Sequence, residues 1–92
     1  MRAVVTVAGT DKVGIIAAAT GKLAELNVNI LDITQTILPP NFFTMVMLVD
    51  VSGSPLPFGE IADQMAAVGK DLGVDIHAQR EDTFQADRKS VV

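Results

Sequence analysis

The chain has no cysteine, no tryptophan and no tyrosine, and it carries only seven basic residues against eleven acidic ones. Without cysteine it can form neither a disulfide framework nor a thiolate metal site. Nucleic-acid binding needs a basic surface, usually with aromatic side chains on which bases stack. Here the basic residues are scattered, apart from the pair Arg88–Lys89, and the first predicted strand has no aromatic residue. We therefore expect no direct binding to nucleic acid.

The chain also lacks a long apolar run. The run from Ala3 to Ala8 is too short for the core of a signal peptide or for a membrane span, so a cytoplasmic location is the expectation. A length of 92 residues favours one domain, which we assign to residues 1–80, followed by a short helix or a tail over residues 81–92. Hydrophobic residues make up 49% of the sequence, which excludes a disordered chain. A domain of this size has a thin stability margin unless it pairs with another copy.

Hydrophobic spacing predicts four strands. Residues 2–8 are short and rich in β-branched side chains, which is typical of a buried strand. Residues 29–38 alternate apolar and polar positions and read as a half-buried strand. Residues 42–51 are apolar on both faces, as in a central strand that is covered on both sides or partly covered by a partner. Residues 74–79 alternate again and form the last strand.

Two helices lie between these strands. The first has apolar residues at helical spacing and ends at Asn27; these residues are Ile15, Ile16, Ala19, Leu23 and Leu26. In the second, Pro57 suits the first turn and Gly73 the C-terminal cap. Its apolar stripe consists of Ile61, Met65, Val68 and Leu72.

The predicted element order is β-α-β-β-α-β. Two right-handed crossovers place both helices on one face of a four-stranded antiparallel sheet with strand order 4-1-3-2, a ferredoxin-like α+β fold. This plan serves many unrelated functions. Members that hydrolyse acyl phosphates need a cationic cradle in the first loop, where residues 9–14 contain one lysine and no arginine. Metal-carrying members need a Cys-x-x-Cys motif. The sequence therefore leaves a small-molecule-binding module or an interaction module.

The chain resembles an ACT domain, the small regulatory module that senses amino acids next to many metabolic enzymes, and the motifs that carry this resemblance lie in its first half. The family pattern runs Asp/Asn-basic-Pro-Gly-aliphatic, then Leu-Ala-Glu, then Asn-Ile. The matching residues are Asp11-Lys12-Val13-Gly14-Ile15-Ile16, Leu23-Ala24-Glu25-Leu26 and Asn27-Val28-Asn29-Ile30. The resemblance spans residues 1–80, and the chain looks similar to short stand-alone bacterial ACT proteins, some of them grouped with the glycine-cleavage repressor.

Two positions depart from the family pattern. Val13 stands where proline is usual, which removes some rigidity from the loop but no contact chemistry. Gly9 stands where serine-sensing members carry a histidine, which puts serine in question as the ligand. The resemblance implies a dimeric regulatory protein that binds a small amino-acid-like effector, without a cofactor.

The predicted site lies where the first helix begins, and we expect Gly14 to lie just inside this helix. The N–H groups of Gly14 and Ile15 would bind a carboxylate at the positive end of the helix, and Asp11 would accept from an ammonium group. Each residue also has a purely structural interpretation. Asp11 is equally explained as a helix N-cap, and Gly14 as a site of close packing between helix and strand.

Asn29 is the fourth predicted site residue. A helix of about a dozen residues, roughly 18–20 Å long, separates it from Gly14, so the two lie at opposite ends of one chain. In a two-fold dimer with the second strands side by side and antiparallel, Asn29 of one subunit would reach Gly14 of the other. The resemblance implies ligand binding at such an interface. The alternative is that Asn27 and Asn29 only cap the helix and turn the chain.

No pattern of catalytic residues is visible, so we do not expect an enzyme. We find no nucleophile–base pair and no glycine-rich phosphate motif, and His77 is a lone histidine on a polar strand face. The leading hypothesis is an ACT-type regulatory homodimer that signals to a partner protein. The alternative is a protein-interaction module of the same fold without a ligand, and a weaker third option is a metal-associated role for acidic groups such as Asp11.

Overall fold

A computed structural model describes residues 1–83, and the structured elements follow the predicted order. They are β1 (Arg2–Thr10), α1 (Ile15–Glu25), β2 (Asn29–Leu38), β3 (Phe42–Asp50), α2 (Phe58–Leu72) and β4 (Asp75–Arg80). Residues 81–83 form a helical turn directly after β4. The rest of the predicted helix or tail, residues 84–92, lies outside the described residues.

The four strands form one antiparallel sheet with the order β2-β3-β1-β4, which confirms the predicted ferredoxin-like topology. β1 and β3 pair along their whole length, from Arg2 opposite Asp50 to Thr10 opposite Phe42. β2 and β4 are the two outer strands. The turn between β2 and β3 contains a cis peptide bond between Pro39 and Pro40.

Helix α1 begins later than the sequence indicated. Gly14 is the N-cap residue, just outside the helix, and its φ of 94° lies in the left-handed region that glycine enters at little cost. Asn27 follows the helix with a φ of 61°, and its backbone N–H donates to the carbonyl of Ala24 at 3.0 Å. The prediction that Asn27 ends this helix is confirmed.

Helix α2 ends as predicted. Gly73 has a φ of 74°, and its N–H donates to the carbonyl of Lys70 at 3.3 Å. The next N–H, from Val74, donates to the carbonyl of Gly69 at 2.9 Å, so the chain closes the helix and passes directly into β4. Pro57 lies at the N-cap, one residue before the helix begins.

Both helices cover one face of the sheet, and the core lies between the two layers. One of the two apolar faces of β3 is almost fully buried; its residues are Phe43, Met45, Met47 and Val49. Ile15, Ala19 and Leu23 of α1 pack against them. Ile16 does not belong to this stripe, because 41% of it is exposed.

The prediction that β2 is half-buried is wrong for the single chain. Every residue of β2 except Ile30 is exposed. Ile33 and Ile37 pair with Met47 and Phe43 and so lie on the helix-covered side, yet they remain 42% and 55% exposed. The reason is the position of β2 at the edge of the sheet, beyond the area that the two helices cover.

Candidate functional site

The turn before α1 presents an open helix N-terminus. The N-cap residue, Gly14, has no side chain that could cap the helix, and the first turn of α1 contains no acidic residue. The positive end of the helix is therefore not neutralised by its own sequence. A Cβ atom built on Gly14 would meet nothing within 4 Å, so the space above this residue is free.

This openness separates the two interpretations of Gly14. The close-packing interpretation is wrong, because no atom lies near enough to require a residue without a side chain. The positive φ is the structural reason for the glycine. The open space leaves the turn accessible to an anionic group.

Asp11 is held by its backbone and not by its side chain. Its N–H donates to the carbonyl of Asn41 at 2.7 Å, which ties the turn to the loop between β2 and β3. Its carboxylate is exposed and makes no hydrogen bond or ion pair in the part of the chain that the structure describes. The N-cap interpretation of Asp11 is wrong, because Gly14 occupies the N-cap position.

Asn27 and Asn29 have different roles. The side-chain amide of Asn27 donates to the carbonyl of Gly53 at 2.7 Å, and the residue takes the left-handed turn after α1. Asn27 is therefore structural. Asn29 opens β2 opposite Asp50, and its exposed side chain forms no hydrogen bond with residues 1–83.

Within one chain, Asn29 and Gly14 lie at opposite ends of the sheet. Asn29 is in the row of Asp50 and Arg2, whereas the turn follows Thr10, at the other end of β1. A strand of nine residues places these ends roughly 27 Å apart. The structure therefore brings Asp11, Gly14 and Ile15 together but leaves Asn29 far from them. Ile15 is only 1% exposed, because its side chain belongs to the core, so it can offer an effector only its backbone N–H.

An acidic group lies beside Asn29. The backbone N–H of Ser52 donates to the Asp50 carboxylate at 2.9 Å, and this bond lowers the pKa of Asp50 below its usual value. The same carboxylate lies 3.6 Å from the N-terminal ammonium group. This end of the sheet thus carries a paired carboxylate in register with Asn29. Sequence reasoning did not single out Asp50, whose signal was its place at the end of β3 directly before a turn.

β2 is an edge strand with exposed apolar side chains. β2 pairs with β3 on one side, and no strand within residues 1–83 pairs with the other. Leu31, Ile33 and Ile37 are 42–55% exposed along this strand. The ladder slips between Ile30 and Asp32, so Leu31 lies in a β-bulge.

Gly9 has a packing reason that the sequence did not reveal. A Cβ atom at this position would lie 2.8 Å from Cγ1 of Val74 and 3.2 Å from its Cα atom. No side chain fits there unless the start of β4 moves. The packing of this chain therefore leaves no room at position 9 for the histidine that serine-sensing members carry.

An open groove of about 440 Å³ lies between the two helices. Its lining combines small and charged residues: Ala17, Ala18, Gly21, Lys22, Glu25, Val68, Asp71 and Leu72. None of the predicted site residues lines it.

Other candidate groups have local explanations. His77 is exposed and lies 3.1 Å from the Asp75 carboxylate two residues before it. Residues 1–83 contain no group of histidine, cysteine or acidic side chains that could hold a metal ion. In the same part of the chain, neither helix is long and apolar enough to cross a membrane.

Comparison with known proteins identifies relatives over nearly the whole chain. The sequence model of the ACT domain matches residues 2–79. A UPF0237 protein of Listeria monocytogenes is 51% identical over 89 residues, which cover 97% of this chain and 99% of the relative. The solved structure of an ACT domain protein from Streptococcus pneumoniae is 42% identical, with a TM-score of 0.79 and coverage of 91% of this chain and 93% of that one.

A more distant structure shares the fold. A putative glycine cleavage system transcriptional repressor superimposes with a TM-score of 0.72 over 85% of this chain and 44% of its own, at 23% identity. At that identity the likeness shows a common architecture.

Proposed function

Since this chain belongs to the ACT domain family, we propose that it is a stand-alone regulatory protein that binds a small amino-acid-like effector at the interface of a homodimer. Asp11, Gly14 and Ile15 of one subunit and Asn29 of the other would contact the effector. Binding would stabilise the dimer, and the signal would pass to a partner protein in the cytoplasm. No cofactor is required.

The main support is the uncapped, open N-terminus of α1. An α-carboxylate would take up the free N–H groups of Gly14 and Ile15, where the helix dipole favours negative charge. The ammonium group would donate to the exposed Asp11 carboxylate, which has no partner within residues 1–83. One turn thus offers a donor set and an acceptor for the two charged groups that all amino acids share.

The apolar edge of β2 supports the dimer. Two β2 strands that pair in antiparallel register would satisfy the free backbone groups of both edges and would cover Ile33 and Ile37. The same pairing would carry Asn29 and the neighbouring Asp50 of each subunit toward the Gly14 turn of the other. The proposed site is therefore shared between two copies.

A thermal-shift screen with the twenty amino acids at millimolar concentration tests the proposal. An effector at a hundred times its dissociation constant should stabilise the protein by about 2.7 kcal/mol. Asp11→Asn and Asn29→Ala should each weaken binding at least tenfold. Asp11→Asn removes the negative charge that pairs with the ammonium group, and Asn29→Ala removes a hydrogen bond with a charged group. Isothermal titration calorimetry measures the affinities.

Asp63→Asn serves as the control, since this exposed carboxylate of α2 makes no hydrogen bond or ion pair within residues 1–83. It should leave the affinity unchanged. If no amino acid shifts the melting temperature, the alternative of an interaction module without a ligand replaces the proposal. If an amino acid binds equally well to both site variants, the effector binds elsewhere.

A further inference from the structure

The Lys12 side chain contacts the C-terminal end of α2. Its ammonium group donates to the carbonyl oxygen of Leu72 at 2.6 Å, although the two residues are 60 positions apart in the sequence. Lys12 belongs to the turn before α1, and Leu72 is the last residue of α2. The bond therefore joins the proposed effector-binding turn to a different helix.

The acceptor is a group that needs a partner. The last carbonyls of a helix have no intrahelical donor and form its negative end. The carbonyls of Gly69 and Lys70 receive the N–H groups of Val74 and Gly73. The Leu72 carbonyl receives the Lys12 ammonium instead, in a charge-assisted hydrogen bond.

A second bond fixes the turn on its other side. The N–H of Asp11 donates to the carbonyl of Asn41 in the loop between β2 and β3. Few other contacts hold this segment, because Val13 is fully exposed and a Cβ atom at Gly14 would meet nothing within 4 Å. The Asp11 and Lys12 bonds thus fix the two residues that lead into the Gly14 turn.

We propose that Lys12 is a positioning residue of the effector site: through its bond to the C-terminus of α2, it holds the Gly14 turn in the conformation that receives the effector. The inference rests on the proposed function. It assigns Lys12 no direct contact with the carboxylate, which the backbone N–H groups bind. It also makes the junction between α2 and β4 sensitive to the state of the turn.

Lys12→Met tests this role, because it keeps most of the unbranched side chain and removes its donor. We expect faster amide hydrogen exchange at residues 11–16 and at Gly73 and Val74 in the protein without effector. We also expect about tenfold weaker binding of the effector and, by the same factor, of its carboxamide. Lys12→Arg keeps a donor at this position and should restore both properties.

Lys70→Met is the matched control. It makes the same exchange of lysine for methionine, here in the last turn of α2, but the Lys70 side chain forms no hydrogen bond or ion pair within residues 1–83. It should change neither exchange nor affinity. If Lys12→Met behaves like this control, the bond positions nothing. If it weakens binding of the acid but not of the carboxamide, Lys12 contacts the carboxylate directly. If no amino acid binds the wild-type protein, the proposed function fails, while the exchange data still decide whether Lys12 holds the turn.

Discussion

At the scale of single residues, glycines meet two different requirements in this chain. Gly9 and Gly69 allow close approach to the residues that lead into β4, because a Cβ atom on either would lie 2.8 Å from an atom of Val74. Gly14 has free space around it, and glycine is favoured at this position because the backbone has a positive φ. The same residue type thus marks tight packing in one place and an open turn in another.

Gly9→Ala should destabilise the protein by about 1–3 kcal/mol, because the new methyl group overpacks the contact with Val74. Gly21→Ala is the control, since Gly21 lies inside α1 with nothing within 4 Å of its Cβ position. That change should stabilise the protein by about 0.5–1 kcal/mol through helix propensity. Urea unfolding measures both free energies. Equal stability of Gly9→Ala and the wild type would contradict the packing explanation.

Single residues were also where the sequence was least informative. It indicated the importance of Gly14 but placed this residue inside the helix, because a positive φ leaves no trace in hydrophobic spacing. It grouped Asn27 with Asn29, although only Asn27 takes a left-handed turn and bonds Gly53. The Lys12 bond to Leu72 depends on how α2 packs against the first loop, which local sequence does not encode.

At the scale of elements, hydrophobic periodicity predicted the type and order of all six. The strong patterns of β3 and α2 correspond to the buried residues Met45, Met47, Ile61 and Met65. The exception is β2. Its alternation correctly places Ile33 and Ile37 on the face opposite Thr34 and Thr36. Alternation reports which face a side chain is on, and not whether anything covers that face.

The exposed edge of β2 leads to a prediction about assembly. Ile37→Lys should convert the proposed dimer into a monomer, since it places a charge on the strand that would pair with its copy. Sedimentation velocity measures the change in mass. An edge strand accepts lysine readily, and Ile37 is already 55% exposed, so the monomer should remain folded by circular dichroism.

Val46→Lys distinguishes this edge from the uncovered face of the sheet. Val46 lies on β3, is 41% exposed and pairs with Thr34 and Thr6 on the face away from the helices. The variant should sediment like the wild type. If Val46→Lys dissociates the protein and Ile37→Lys does not, two copies associate through the sheet faces.

At the scale of the whole molecule, the sheet topology followed from the sequence because right-handed crossovers leave few arrangements of β-α-β-β-α-β. The topology in turn fixes the distance between the Gly14 turn and Asn29. The effector site could be predicted only as two halves, because a single chain contains no information about the register in which two copies meet. The account therefore depends on whether one site is built from two chains.

A mixing experiment with two variants that bind the effector weakly tests most directly whether each site is built from two chains. Asp11→Asn and Asn29→Ala homodimers each have both proposed sites damaged, whereas a mixed dimer regains one intact site from the undamaged halves. After subunit exchange in an equal mixture, titration calorimetry should find high-affinity sites for about one quarter of the chains. If no high-affinity binding returns on mixing, while each variant binds weakly alone, the site lies within a single chain and the shared-site account is wrong.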